Sequence, residues 1–190
     1  MLPTEVLLMI FGQLKDQQLL VSLTEVCTRF NAIISPNITC LTLDKEICLT
    51  PAAVHIQRSY KEIVIKSSFK KEEIENVLES SKSSARVLVI DSCLMNQKTL
   101  VWLLNYLENI EELKCFRLVV ESQDSFLENL SLPKLPSLKV LDLDRCSVKV
   151  VKILANVTSV EQISVYSIGG GAHESLKKFL CSQKELKMIE

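Results

Sequence analysis

Seven cysteines and two histidines are the side chains best suited to nucleophilic, redox or metal chemistry, and their spacing organises none of it. No Cys-x-x-Cys occurs, and zinc would want closely spaced Cys/His pairs. Cys27, Cys93 and Cys146 fall at packed positions of apolar patterns, where a free thiol behaves as a small hydrophobe. Cys40, Cys48, Cys115 and Cys181 have no histidine near them in sequence, and His55 and His173 lie far apart. Gly169-Gly170-Gly171 follows an apolar run as a phosphate loop would, but the Gly-Lys-Ser/Thr ending is missing. A strand-to-helix turn accounts for it. Glu72-Glu73 and Glu111-Glu112 read as solvated surface, and Trp102 as part of a core helix. The expectation is a chain with no catalytic residues, no metal and no cofactor.

The elements that carry these residues divide at about position 36. Among the first 35 residues only Glu5, Lys15, Asp16, Glu25 and Arg29 are charged. Leu7, Ile10, Phe11 and Leu14 recur at helical spacing, yet Val6, Leu8 and Met9 are apolar too. A helix greasy on several sides must be covered on several sides. Asp16 can cap a second short helix bearing Leu19 and Leu20. Ser22-Leu23-Thr24-Glu25 has the form of a capping box and opens a third, with Leu23, Val26, Cys27 and Phe30 on one stripe. Ser35-Pro36 ends it. So short a stretch cannot bury this much apolar surface unaided.

The run Leu2-Pro3-x-Glu5-Val6-Leu7-x-x-Ile10-Phe11-x-x-Leu14, then Leu19-Leu20, then Val26-Cys27-x-Arg29-Phe30, resembles an F-box. Phe30 stands where tryptophan is more usual, and the tryptophan common near position 40 is absent. The resemblance implies docking to the Skp adaptor of a cullin–RING ubiquitin ligase. The residues it assigns to that contact are Leu2, Pro3, Leu7, Ile10, Phe11, Leu20, Val26 and Cys27.

From position 37 onward one phrase recurs: an apolar residue, two spacers, an apolar residue, one spacer, an apolar residue. Leu138, Leu141, Leu143 with Cys146 is the clearest copy, and Ala85, Leu88, Ile90 with Cys93 fits the same frame. Leu113, Phe116, Leu118 and Val160, Ile163, Val165 follow it, with weaker copies at Ile38, Leu41, Leu43 and Tyr60, Ile63, Ile65. A half-copy, Leu186 and Ile189, ends the chain. The central anchors, Leu41, Ile63, Leu88, Phe116, Leu141, Ile163 and Ile189, are spaced by 22, 25, 28, 25, 22 and 26 residues. That is the period of leucine-rich repeats, which this part resembles. Helical stripes lie between the phrases: Ile74, Val77, Leu78; Leu100, Val101, Leu104, Leu107; Phe126, Leu127, Leu130; Val148, Val151, Leu154; Leu176, Phe179, Leu180. Thr50-Pro51 opens another, reaching His55.

The fold class expected is therefore α/β. A three-helix F-box (1–36) precedes a leucine-rich-repeat solenoid (37–190) of about six repeats, with parallel strands inside, helices outside and an uncapped C-terminal end. Neighbours of the strand anchors should face the concave sheet: Val87, Val89, Asp91; Cys115, Arg117, Val119; Val140, Asp142, Asp144; Gln162, Ser164, Tyr166. Asp91, Arg117, Asp142, Asp144, Gln162 and Tyr166 are the candidates for target binding, with a basic target segment favoured by the carboxylates.

Charge and composition limit the partners. Lys and Arg number 22 against 23 Asp and Glu, a net charge of −1, so no basic excess holds a nucleic-acid backbone. The longest stretch free of charged residues, Phe30 to Leu43, is broken by Asn31, Pro36 and Asn37 and is too short to span a bilayer. No basic leader precedes the first helix, and the odd thiol count suits a reducing compartment, cytoplasm or nucleus. The function expected is the substrate-recognition subunit of a Skp–cullin–F-box ligase, itself non-catalytic. The alternative is a leucine-rich-repeat scaffold that binds a protein without ubiquitin. A thiol enzyme is a third.

Overall fold

The structure, a computed structural model, describes residues 3–13, 26–34, 39–45, 59–121, 131–169 and 173–189. Two helices of the N-terminal segment are among them. Pro3 sits at the N-cap of α1 (Thr4–Gly12) and its carbonyl accepts from the Leu7 amide at 3.2 Å. Glu5 in the first turn complements the helix dipole. The next helix, α2 (Thr28–Ile34), starts later than the stripe through Val26 and Cys27 suggests. Cys27 lies just before it, exposed, and its sulfur accepts from the Phe30 amide at 3.4 Å. Cys27 is therefore not the packed thiol its pattern implied; it stands at a helix start, where oxygen side chains usually serve. The expected middle helix, with Leu19 and Leu20, and the Ser22–Glu25 box lie outside the described residues.

Among the described residues seven strands form one sheet, all parallel and neighbours in chain order: β1 (Cys40–Leu43), β2 (Glu62–Ile65), β3 (Val87–Asp91), β5 (Glu112–Phe116), β7 (Val140–Cys146), β8 (Gln162–Ile168) and β9 (Met188–Ile189). Helices α3 (Lys71–Glu79), α4 (Gln97–Tyr106), α5 (Val148–Ile153) and α6 (His173–Ser182) fall between strands. They carry the stripes read from the sequence. The stripe at Phe126 to Leu130 and the helix at Thr50 lie outside the described residues. Asn96 caps α4, accepting from the Lys98 amide at 2.8 Å, and the Lys70 amide before α3 donates to the Glu73 carboxylate at 2.7 Å. The whole is a mixed α/β arrangement around a mostly parallel sheet.

Register corrects one anchor. Leu41, Ile63, Leu88, Leu113, Leu141, Ile163 and Ile189 lie across from one another on successive strands. The fourth anchor is thus Leu113, not Phe116, and the spacings become 22, 25, 25, 28, 22 and 26 residues. Two further features keep that period. The carbonyls of Thr39, Lys61, Arg86, Glu111, Lys139 and Glu161 each accept two amides from the start of the next strand. At the C-terminal ends of β3, β5 and β7, Ser92, Arg117 and Arg145 have φ of 56°, 51° and 52°, a left-handed backbone position repeated from strand to strand. The burial follows: Ile110, Leu113, Cys115 and Leu118 are all buried, as are Leu138, Leu141, Leu143 and Cys146.

These inward residues meet Ile74, Leu78, Leu103, Leu104, Val151, Leu154 and Phe179 from the helices in one continuous core. Each fully buried leucine or isoleucine stabilises the fold by about 1.5–3 kcal/mol relative to exposure. A second sheet was not expected. The short strands β4 (Leu94–Asn96) and β6 (Val119–Glu121) pair in parallel where the chain turns from sheet to helix. Ser68 lies at one edge, its hydroxyl bonded to the Leu94 carbonyl and accepting from the Leu94 amide. At the other edge Ser147 Oγ accepts from the Val120 amide at 3.2 Å. Side-chain hydroxyls thus close both edges of the ladder.

Candidate docking surfaces

The N-terminal helices turn some apolar residues inward and leave others in water. Leu7 and Phe11, one turn apart on α1, pack on Phe30 and Ile33 of α2, and Tyr60 and Leu41 complete a small core. The Phe11 and Phe30 rings meet edge to face, 5.2 Å between centroids at 73°. Leu7 and Phe11, assigned to the adaptor contact from sequence, are thus packed within the chain. Pro3, Val6, Leu8, Met9 and Ile10 stay exposed on the other sides of α1, Met9 at 73%. Val26 is 65% exposed and Cys27 beside it is exposed as well. Leu2 and Leu20 lie outside the described residues.

The outer face of the sheet holds the second candidate surface. Asp91, Asp142, Asp144 and Gln162 are partly exposed on it, and Tyr166 is 67% exposed. Corrected register removes Cys115 from this face, since it is buried, and puts Glu112, Lys114 and Phe116 there. Val119 belongs to the short sheet, where it and Leu94 form an exposed apolar pair. Arg117 lies one residue beyond β5, yet its guanidinium returns to the face and donates to Asp91 Oδ1 at 2.8 Å. That bond, more than any other influence, holds the Asp91 carboxyl below its ordinary range, and it raises Arg117 in turn. Arg145 stands 3.6 Å from Asp144 Oδ1. Between Leu143 and Asp144 the pairing with β8 slips by one residue: Leu143 pairs with Val165, but Asp144 pairs with Ser167. Tyr166 is the extra residue, and the bulge thrusts it outward.

Several charged residues elsewhere form ion pairs. Glu111 meets Arg86 at 3.4 Å and Lys139 at 3.3 Å, and Glu112 meets Lys114 at 3.0 Å. Trp102 is half-buried and packs against the main core. It stacks on Tyr106 at 5.0 Å and lies under the Lys71 ammonium at 5.5 Å. Tyr106 also bonds the Glu79 carboxylate, and its phenol is pushed up to about 12, by desolvation first and that carboxylate second.

The buried thiols do structural work. Cys93 donates to the Ile65 carbonyl of the preceding strand at 3.4 Å, and Cys146 to the Cys115 carbonyl at 3.1 Å. Each thus satisfies a backbone acceptor at the same point of its phrase. Burial pushes the Cys93 thiol up to about 12 and raises Cys115 and Cys146 as well, the reverse of what a nucleophile needs. Among the described residues no cluster of three or more His, Cys, Asp or Glu could hold a metal ion, and no helix is long and apolar enough to cross a membrane.

Residues 1–39 match the F-box-like family model. The chain thus carries an F-box-like domain at its N-terminus, and α1, α2 and the exposed apolar residues around them fall within it. No curated protein matches the chain.

Proposed function

We propose that this protein is the substrate-recruiting subunit of a Skp–cullin–F-box ubiquitin ligase. The F-box-like domain docks on the Skp adaptor, and the following repeats, of leucine-rich type, hold a protein target. The chain itself catalyses nothing. It raises the effective concentration of target beside the ubiquitin-charged enzyme. One observation carries this reading: Val6, Met9, Ile10 and Val26 remain exposed in the matched domain although their neighbours Leu7 and Phe11 are packed. Apolar side chains so grouped mark a protein-binding surface. The parallel sheet in chain order, the 22–28-residue register and the repeated left-handed turn support a solenoid of leucine-rich repeats. The reducing interior of the cell, cytoplasm or nucleus, suits the free thiols of Cys27, Cys93, Cys115, Cys146 and Cys181.

The test is affinity capture from cells in the presence of a proteasome inhibitor. Wild type brings down the Skp adaptor and cullin. The double variant Met9→Asp with Ile10→Lys, both exposed positions, loses both partners while its melting temperature stays within a few degrees of wild type. Equal capture of the adaptor by wild type and variant rejects the docking reading.

A further inference from the structure

We infer that the sheet face, where β5, β7 and β8 end, binds an acidic peptide segment, gripped by Arg117 and Arg145 and anchored on Tyr166. The inference rests on the target-recruiting reading and reverses the charge that the sequence alone suggests. From sequence, Asp91 and Asp144 look like the recognition groups. In the fold they are recessed, their side chains 28% and 27% exposed, and each already has a guanidinium beside it. The arginines are the outer members of both pairs, 56% and 70% exposed. A guanidinium has five N–H donors in a planar fork, so bonding one carboxylate leaves donors for another. The Asp91 carboxylate thus orients Arg117 by a hydrogen bond, and Asp144 sits in a looser ion pair with Arg145, so each carboxylate is already matched by a cation.

Backbone geometry brings the two arginines together. Both occupy the left-handed position at the C-terminal ends of successive main-sheet strands, and the Arg117 amide bonds the carbonyl of Asp144, the residue just before Arg145, at 2.7 Å. Phe116 lies in register between Asp91 and Asp144, half-exposed. The bulge on β8 adds Tyr166 at the same end of the face. Tyrosine and arginine are the residue types that dominate binding energy at protein interfaces. Two neighbouring exposed guanidinium groups, with Phe116 and Tyr166 on the same end of the face, fit a segment with neighbouring Asp or Glu and an apolar residue.

The immobilised full chain is selected against a random seven-residue peptide library at about 0.15 M salt. The expected result is enrichment of Asp and Glu in the selected peptides. A fluorescent copy of the most enriched peptide should bind the Arg117→Gln, Arg145→Gln chain at least about tenfold more weakly. Because Arg117 also orders Asp91, Arg145→Gln and Tyr166→Ala are measured singly, each with its melting temperature, and each should weaken binding without unfolding. Enrichment of Lys or Arg, absence of charge bias, or unchanged affinity in the variants overturns the inference. Adaptor capture is scored separately on the same proteins. Its failure in wild type defeats the ligase reading, while the peptide measurement still judges the surface.

Discussion

The buried cysteines show how residue chemistry and position part company. Cys93, Cys115 and Cys146 lie on or next to three neighbouring main-sheet strands, under 3% exposed, and burial keeps their thiols protonated. Thiolate is the reacting form, so native-state alkylation at pH 8 should modify Cys27 and Cys181, both exposed, and spare these three until the chain unfolds. Peptide mass spectrometry after timed alkylation reads this directly, and rapid labelling of Cys146 would contradict its assigned burial. The pH dependence has a definite sign. A folded thiol raised to about 12, against about 8.5 unfolded, stabilises the native state below about pH 8.5 and loses that contribution as pH climbs toward 12. Cys93→Ser should flatten the alkaline fall in melting temperature relative to wild type. The packed roles of Cys93 and Cys146 were legible from the LxxLxLxxC phrase. That of Cys115 was not, because a cysteine at the third apolar position of a weak copy looks no different from one on the opposite face.

At the scale of elements, the same ambiguity misplaced one strand. Leu113, Phe116 and Leu118 match the phrase as well as Ile110, Leu113 and Cys115 do, and leucine with phenylalanine looks the stronger core pair. Pairing to both neighbours selects Leu113 and Cys115 and puts Phe116 on the half-exposed face. The turn signal that would have decided it was hidden, since arginine rather than glycine or asparagine occupies the left-handed position at 117 and 145. The consequence is measurable by denaturant unfolding. Leu113→Ala should cost about 2–5 kcal/mol, and Phe116→Ala less than Leu113→Ala despite the larger side chain. The opposite order would restore the slipped register. In the N-terminal domain, helical periodicity exposed the greasy character of α1 but not which residues face inward, because apolar residues lie on nearly every side. Phe11→Ala should cost about 3–5 kcal/mol of the small core shared with Phe30, Ile33 and Tyr60, seen as earlier proteolysis near the N-terminus.

Over the whole molecule, the F-box-like domain and the sheet share a boundary. Tyr60, just before β2, packs with Leu7, Phe11 and Ile33, and Leu41 of β1 touches that cluster. The exposed apolar residues of α1 and the rim at Arg117, Arg145 and Tyr166 are separate surfaces of one chain, which is what a subunit joining an adaptor to a target requires. Hydrogen–deuterium exchange of the full chain, with and without purified Skp adaptor, tests this most directly. The account predicts slowed exchange in α1 and around Val26 and Cys27, with β5, β7 and β8 unchanged. Protection centred on the sheet, or no protection anywhere at saturating adaptor, would contradict it.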